Sequence, residues 1–214
     1  MTNFSNNMNK YKGKNLLIFD LETTGLPITP RFGEYYNYIE NDKYNSSRIV
    51  SIAWSIIKNY PESNIEDINC KHYIRKIIKE DNIKILNFNI HGITNEISES
   101  TGINFKDILI EFFKDLENID YLVAHNIKFD FNILLNEIHR LNDQNYLNKL
   151  LLYKDKLFCT CNHFKYICNI KNSNGMIKLP KLSEVYQYFF NKLPEVSHSA
   201  DHDVFNLVKI LLHI

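Results

Sequence analysis

The chain has 214 residues, enough for one well-filled domain. It is 44% hydrophobic and 23% charged, the balance of an ordinary folded protein, which sets intrinsic disorder aside. Lys and Arg together number 25, as do Asp and Glu, so the formal net charge is zero and the basic footprint of a passive nucleic-acid binder is missing; bound metal ions would still supply positive charge locally.

The opening stretch MTNFSNNMNKYKGKN is polar throughout, and no signal sequence is expected. Residues 1–13 are expected to be a disordered tail ahead of a single domain, 14–214. No apolar run approaches the length needed to span a membrane. With Cys70, Cys159, Cys161 and Cys168 as its cysteines, the chain is expected to be a soluble intracellular protein, in cytoplasm or nucleus, with reduced thiols. Residues 15–22 read as the first strand, since Leu16 to Phe19 are four apolar residues in the manner of a central parallel strand. Residues 27–47 hold turn formers and four tyrosines without a sustained period, and read as a long surface loop that either contacts a ligand or packs its own tyrosines on the domain. Ile49 to Ile57 alternates as a strand, and so does Ile68 to Ile74.

Helical spacing follows at Phe105, Ile108, Leu109, Phe112 and Leu116. Leu122-Val123-Ala124 is a short strand. Phe131, Leu134, Leu135, Ile138 and Leu141 form a second helical stripe, and Leu182 to Phe190 a third. Ala200, Val204, Leu207, Val208, Leu211 and Leu212 form the last. There is no internal repeat. Three leading strands followed by alternating helices and strands predict one α/β domain with a mixed sheet.

The first strand ends in two acids, Asp20 and Glu22, with Leu21 between them. Alternation along a strand points both the same way, from the carboxyl end, where open α/β sheets usually bind ligands. Burying both is costly without a positive partner. Asp130 follows HNIKF and opens a helical stripe; alone, it reads as a helix N-cap. Asp203, in HSADHDVF, alone reads as an acid favoured by a helix dipole, and His198 as a capping or surface residue. Taken together, four carboxylates from different elements form the hard oxygen set that Mg²⁺ or Mn²⁺ prefers. Two such ions clamp the attacking and leaving oxygens of a phosphoryl transfer. His198, five residues before Asp203, is suited to take a proton from the attacking water.

LIFDLETTGLP, VAHNIKFDF and HSADHD, in that order, resemble the three motifs of the DnaQ-like 3′→5′ exonucleases, and His198 to Asp203 has the His-x-Ala-x-x-Asp form of the DEDDh branch. NIHGIT, residues 89–94, and LPKLSEVYQYFF resemble further family segments, so the likeness runs from about Asn15 to the C-terminus. It implies a ribonuclease H-like α/β fold, a mixed five-stranded sheet with helices on both faces. It also implies two Mg²⁺ or Mn²⁺ ions held by Asp20, Glu22, Asp130 and Asp203, with His198 as general base. Thr23, Thr24 and Leu26 would line the site of the 3′-terminal nucleotide, and His91 and Asn126 would touch substrate. The implied partner is nucleic acid at its 3′ ends, DNA rather than RNA on the look of the third motif and the Gly25-Leu26-Pro27 turn, with a DNA polymerase or repair protein as a further partner. Two departures stand out: the 27–47 connection is long, and Cys159 stands where many relatives have an Asp.

Other readings compete. Cys159, Cys161, His163 and Cys168 invite a zinc site, but Cys-x-Cys leaves little slack and no second pair follows, so core thiols are favoured. An RNA-trimming exonuclease of the same branch is the alternative enzyme, and an inactive polymerase-associated binding module the alternative class. All five motif residues are present, which favours an enzyme. No docking tail is expected beyond Ile214, and stand-alone action is the expectation.

Overall fold

The computed structural model describes residues 8–195 and 199–214, apart from the side chain of Glu80. β1 (Leu16–Thr23) is the middle strand of a five-stranded sheet. β2 (Ile49–Ile57) pairs antiparallel with it on one side, and β3 (Cys70–Ile74) pairs antiparallel with β2. On the other side β4 (Tyr121–Ala124) and β5 (Leu157–Cys159) run parallel to β1, giving the order β3-β2-β1-β4-β5. Both parallel strands are reached through helix-bearing crossovers, which parallel pairing requires.

The connection from β1 to β2 carries one helical turn, α1 (Asn41–Tyr44). Between β3 and β4 lie α2 (Phe88–His91), α3 (Asn95–Thr101) and α4 (Phe105–Asp115). Between β4 and β5 lie α5 (Ile127–Arg140) and α6 (Gln144–Leu151). After β5 come α7 (Thr160–Cys168), α8 (Leu182–Phe190) and α9 (Ala200–His213). Alternate residues of β1 serve opposite cores. Leu17 and Phe19 pack with Trp54, Phe112 and Leu134 under α4 and α5, while Leu16 and Ile18 pack with Val204, Leu207 and Leu211 of α9. This explains why Leu16 to Phe19 are all buried. The fold is the expected ribonuclease H-like α/β arrangement, with helices on both faces of a mixed sheet.

Two expectations are corrected. The tail does not extend to residue 13: Met8 and Tyr11 are buried, and the Tyr11 ring stacks on Phe158 at 4.4 Å and meets Tyr121 edge-on at 4.9 Å. These two apolar groups, set among polar neighbours, cover the β4–β5 side of the sheet; residues 1–7 lie outside the described residues. The third strand begins at Cys70, not Ile68, because Ile68 closes a 3₁₀ turn over Ile65–Asp67.

The 27–47 connection is packed on the domain. Tyr44 is fully buried and its hydroxyl donates to the Tyr36 carbonyl at 2.6 Å. Asn136 and Arg140 of α5 donate to the carbonyls of Tyr38 and Asn41 at 2.7 and 2.6 Å. Of the cysteines after β4, Cys161 is buried and its thiol donates to the Pro180 carbonyl, while Cys159 and Cys168 are half-buried, Cys168 against the cluster of Phe164 and Val185. Burial pushes the Cys161 thiol up to about 12 and that of Cys168 to about 11. No helix among the described residues is long and apolar enough to cross a membrane.

Candidate active site

The end of β1 is shaped to leave the sheet. Its register against β2 slips between Glu22, opposite Ser51, and Thr23, opposite Ile49. Such a bulge bends the strand and re-aims its side chains. Asp20 and Glu22 stand just ahead of this exit, and Asp203 arrives from the first turn of α9. Carboxylate oxygens of Asp20, Glu22 and Asp203 lie within 4.8 Å of one another, each side chain half-buried. Asp130 comes from the first turn of α5 and is 2% exposed. Its Oδ1 accepts the N–H of Leu21 at 3.2 Å, the residue between the two β1 acids. Asp130 is therefore not the helix cap; that position is held by Asn126 at φ 77°, ψ 46°, a left-handed conformation that Asn tolerates. Asp130 stands outside the three-carboxylate group but acts on it electrostatically.

Burial and like charge hold Asp20, Glu22 and Asp130 toward their protonated forms. Asp20 is raised well above the usual carboxylate range, first by burial and then by Asp130, Asp203 and Glu22. Glu22 is pushed up to about 7, by burial and then by Asp203. Asp130 is raised by burial, against the opposing effect of backbone N–H groups including that of Leu21. A half-buried set of three carboxylates supplies the hard oxygen donors that fit a divalent cation. His198 lies outside the described residues.

The turn after β1 is held by its own polar groups. The Thr23 hydroxyl donates to the Gly25 carbonyl at 2.8 Å, and the Thr24 hydroxyl donates to the Ser46 carbonyl and accepts the N–H of Arg48, both at 3.0 Å. Gly25 passes so close to the β2 lead-in that a Cβ there would meet the Ser46 carbonyl oxygen at 2.9 Å. The turn delivers Leu26 to the surface, 76% exposed. Leu26 and Asn126 line one cleft of about 380 Å³, together with Phe32, Tyr35 and Phe129. His91 is buried at the end of α2; its Nδ1 accepts the N–H of Ile93, and its Nε2 has no hydrogen-bond partner among the described residues.

Three residues absent from the sequence-based set also meet the site. Asn87 donates to the Thr23 carbonyl at 2.9 Å and so ties the α2 segment to the turn. Arg48 brackets Thr24 through its main chain. Tyr35, from the long connection, lines the Leu26 cleft with Asn126, and burial, with Asp130 and Cys159 nearby, raises its hydroxyl pKa. The tyrosines of that connection were the available signal for Tyr35; Asn87 and Arg48 carry none.

Comparison with known proteins places this arrangement. A family model described as Exonuclease matches residues 17–211. No curated protein matches the chain. Among solved structures, E. coli exonuclease I in complex with a dT13 oligonucleotide aligns with a TM-score of 0.65 at 14% identity, over 92% of this chain and 40% of that one. A 3′-exonuclease that recognises the 3′ end of a histone mRNA stem-loop aligns at 0.60 and 11% identity, over 93% and 62% of the two chains. Cell-death related nuclease 4 aligns at 0.56 and 15% identity, also over 93% and 62%. The chain thus spans 40% to 62% of the length of these three proteins, and at such identities the likeness is one of fold. The family match covers nearly the whole chain, and with the ordered acids at the end of β1 it has one reading: the chain belongs to the Exonuclease family, the DnaQ-like group that its three motifs resemble.

Proposed function

We propose that the chain is a 3′→5′ exonuclease of the DEDDh branch that removes nucleoside 5′-monophosphates from the 3′-hydroxyl end of DNA. The observation that carries this reading is the group of three carboxylates, Asp20, Glu22 and Asp203, gathered at the end of the central strand, whose exit turn leads to Leu26. These acids and Asp130 would hold two divalent ions, Mg²⁺ or Mn²⁺, which would supply the positive charge on which such a phosphoryl transfer depends. His198 takes the proton of the attacking water. The water oxygen bonds to phosphorus, the bond to the 3′ oxygen of the preceding nucleotide breaks, and the terminal nucleotide leaves with a 5′-phosphate. Leu26 lies against a base face, a contact every base offers, so cutting depends little on sequence. Thr23 and Thr24 fix the turn that shapes the terminal-nucleotide site, and Asn126 and His91 contact the strand. DNA is favoured by the Gly25-Leu26-Pro27 turn and by the oligonucleotide held in E. coli exonuclease I.

Blocked oligonucleotides test the polarity. A terminal 3′-phosphate adds about two negative charges beside Asp20 and Glu22. We expect stepwise loss of mononucleotides from a free 3′-hydroxyl, strong inhibition by a 3′-phosphate and little effect of a 5′-phosphate. Equal degradation of blocked and free 3′ ends, or cutting of a closed circle, refutes the assignment. An RNA strand of the same sequence, degraded faster than DNA, would move the substrate class to RNA.

A further inference from the structure

A second cleft, of about 560 Å³, lies between residues 33–38 and the face of α5. It adjoins the Leu26 cleft, since Gly33 and Tyr35 line both. Tyr35 is thus a wall between the two spaces, and with Asn126 it lines the Leu26 cleft of the site itself. Phe131, Leu135 and Tyr36 give the second cleft apolar walls. Lys128 and Lys154 line it as well; both are exposed, and neither ammonium has a carboxylate partner among the described residues. Glu34 is the acid among its lining residues, leaving a net positive charge. On the lip of the first cleft, next to Gly33, the Phe32 ring is 91% exposed.

We propose that this second cleft binds the unpaired nucleotides upstream of the scissile bond, making the long β1–β2 connection a single-strand guide. The proposal rests on the exonuclease reading above and deepens it by naming the form of the substrate. Apolar walls take unpaired bases by their faces, and a paired duplex does not offer those faces. The two lysines meet the phosphates that alternate with them. Place on α5 decides the occupant: Lys128, Phe131 and Asn132 of this cleft neighbour Asp130 on the same helix, so a strand that leaves the acids away from its 3′ end runs onto this face.

The test compares a thymidine dinucleotide with a ten-nucleotide oligodeoxythymidylate, in the wild type and in the double variant Lys128→Ala, Lys154→Ala. Both side chains are exposed, so the variant is expected to fold. The ratio of kcat/KM for the long strand over the dinucleotide should fall about tenfold in the variant. Binding of the labelled ten-mer, followed by fluorescence anisotropy with Ca²⁺ in place of Mg²⁺, provides an arm that needs no cleavage. Its salt slope should drop by about 1.4, at about 0.7 for each lost phosphate contact on a single strand. An unchanged length preference, or an unchanged salt slope, overturns the proposal. A wild type that binds the ten-mer with the full slope yet cuts neither substrate supports the cleft and refutes the exonuclease reading.

Discussion

Asp20 shows most directly what a single side chain does here. Its carboxylate is disfavoured by burial and by three neighbouring acids, so the folded protein holds its charge only at a cost. Replacing Asp20 with Asn removes that charge without changing volume. On the proposed mechanism turnover should vanish, because the loss of a metal ligand would remove several kcal/mol of transition-state stabilisation, while the melting temperature should hold or rise. Activity within about tenfold of wild type would sink the metal assignment. At this scale the sequence is legible where residue type and position are both demanding. Asp20 and Glu22 are readable because an apolar strand rarely ends in two acids on one face. Asp130 was ambiguous, since an Asp before a helical stripe is ordinarily a cap; only its bond to the Leu21 N–H, made 109 positions away in sequence, separates the two roles. Tyr35 and Asn87 reach the site through tertiary contacts that no local pattern records.

At the scale of elements, one buried carboxylate fastens the pieces that carry the site. Glu137 of α5 is 1% exposed. It accepts from Arg48 Nε at 2.6 Å, Arg48 Nη2 at 3.0 Å and the Ile49 N–H at 3.2 Å, and pairs with Arg75 Nη1 at 2.8 Å. The two arginines hold its pKa below the usual value despite burial. Glu137 therefore joins α5 to the start of β2 and the end of β3, and through the Arg48 main chain to the Thr24 turn. Glu137→Gln leaves two guanidinium groups without their counter-charge, and we expect a loss of about 3–5 kcal/mol in urea unfolding. A loss under about 1 kcal/mol would mean that the turn is held without this network. The long helices and the hydrophobic strands were legible because burial imposes a period on them. β5 was not, because three residues are too few to show one. α6 and α7 were missed for a related reason: their apolar stripes are broken by Asn, Lys and His, and Cys161 and Phe164 bury on so short a helix that no repeat forms.

The acids also tie the stability of the whole molecule to pH and to metal, in opposite senses. Glu22 holds its proton up to about 7 in the folded chain, against 4.5 for the free side chain. Its contribution is fully present below pH 4.5 and is lost as pH rises through about 7; a carboxyl so displaced forfeits on the order of 3 kcal/mol once ionised. Asp20 and Asp130 are displaced in the same direction. Burial lowers the pKa of His72, His91, His125 and His163, and these groups run the other way, adding stability as pH rises through 6.5. A simple melting profile mixes the two sets. The difference between melts in saturating Mg²⁺ and in chelator separates them, since the histidines cancel and only the ligand acids remain. A cation binds these acids in their ionised form, so proton and metal compete for the same oxygens. Binding to the folded state alone then raises the melting temperature by mass action. The gain from Mg²⁺ should therefore be small at pH 5 and clearly larger at pH 8, and Asp20→Asn should shrink it at pH 8. An equal gain at both pH values, or one that survives Asp20→Asn intact, would place the cation away from the end of β1 and leave the four acids without the partner that their burial demands.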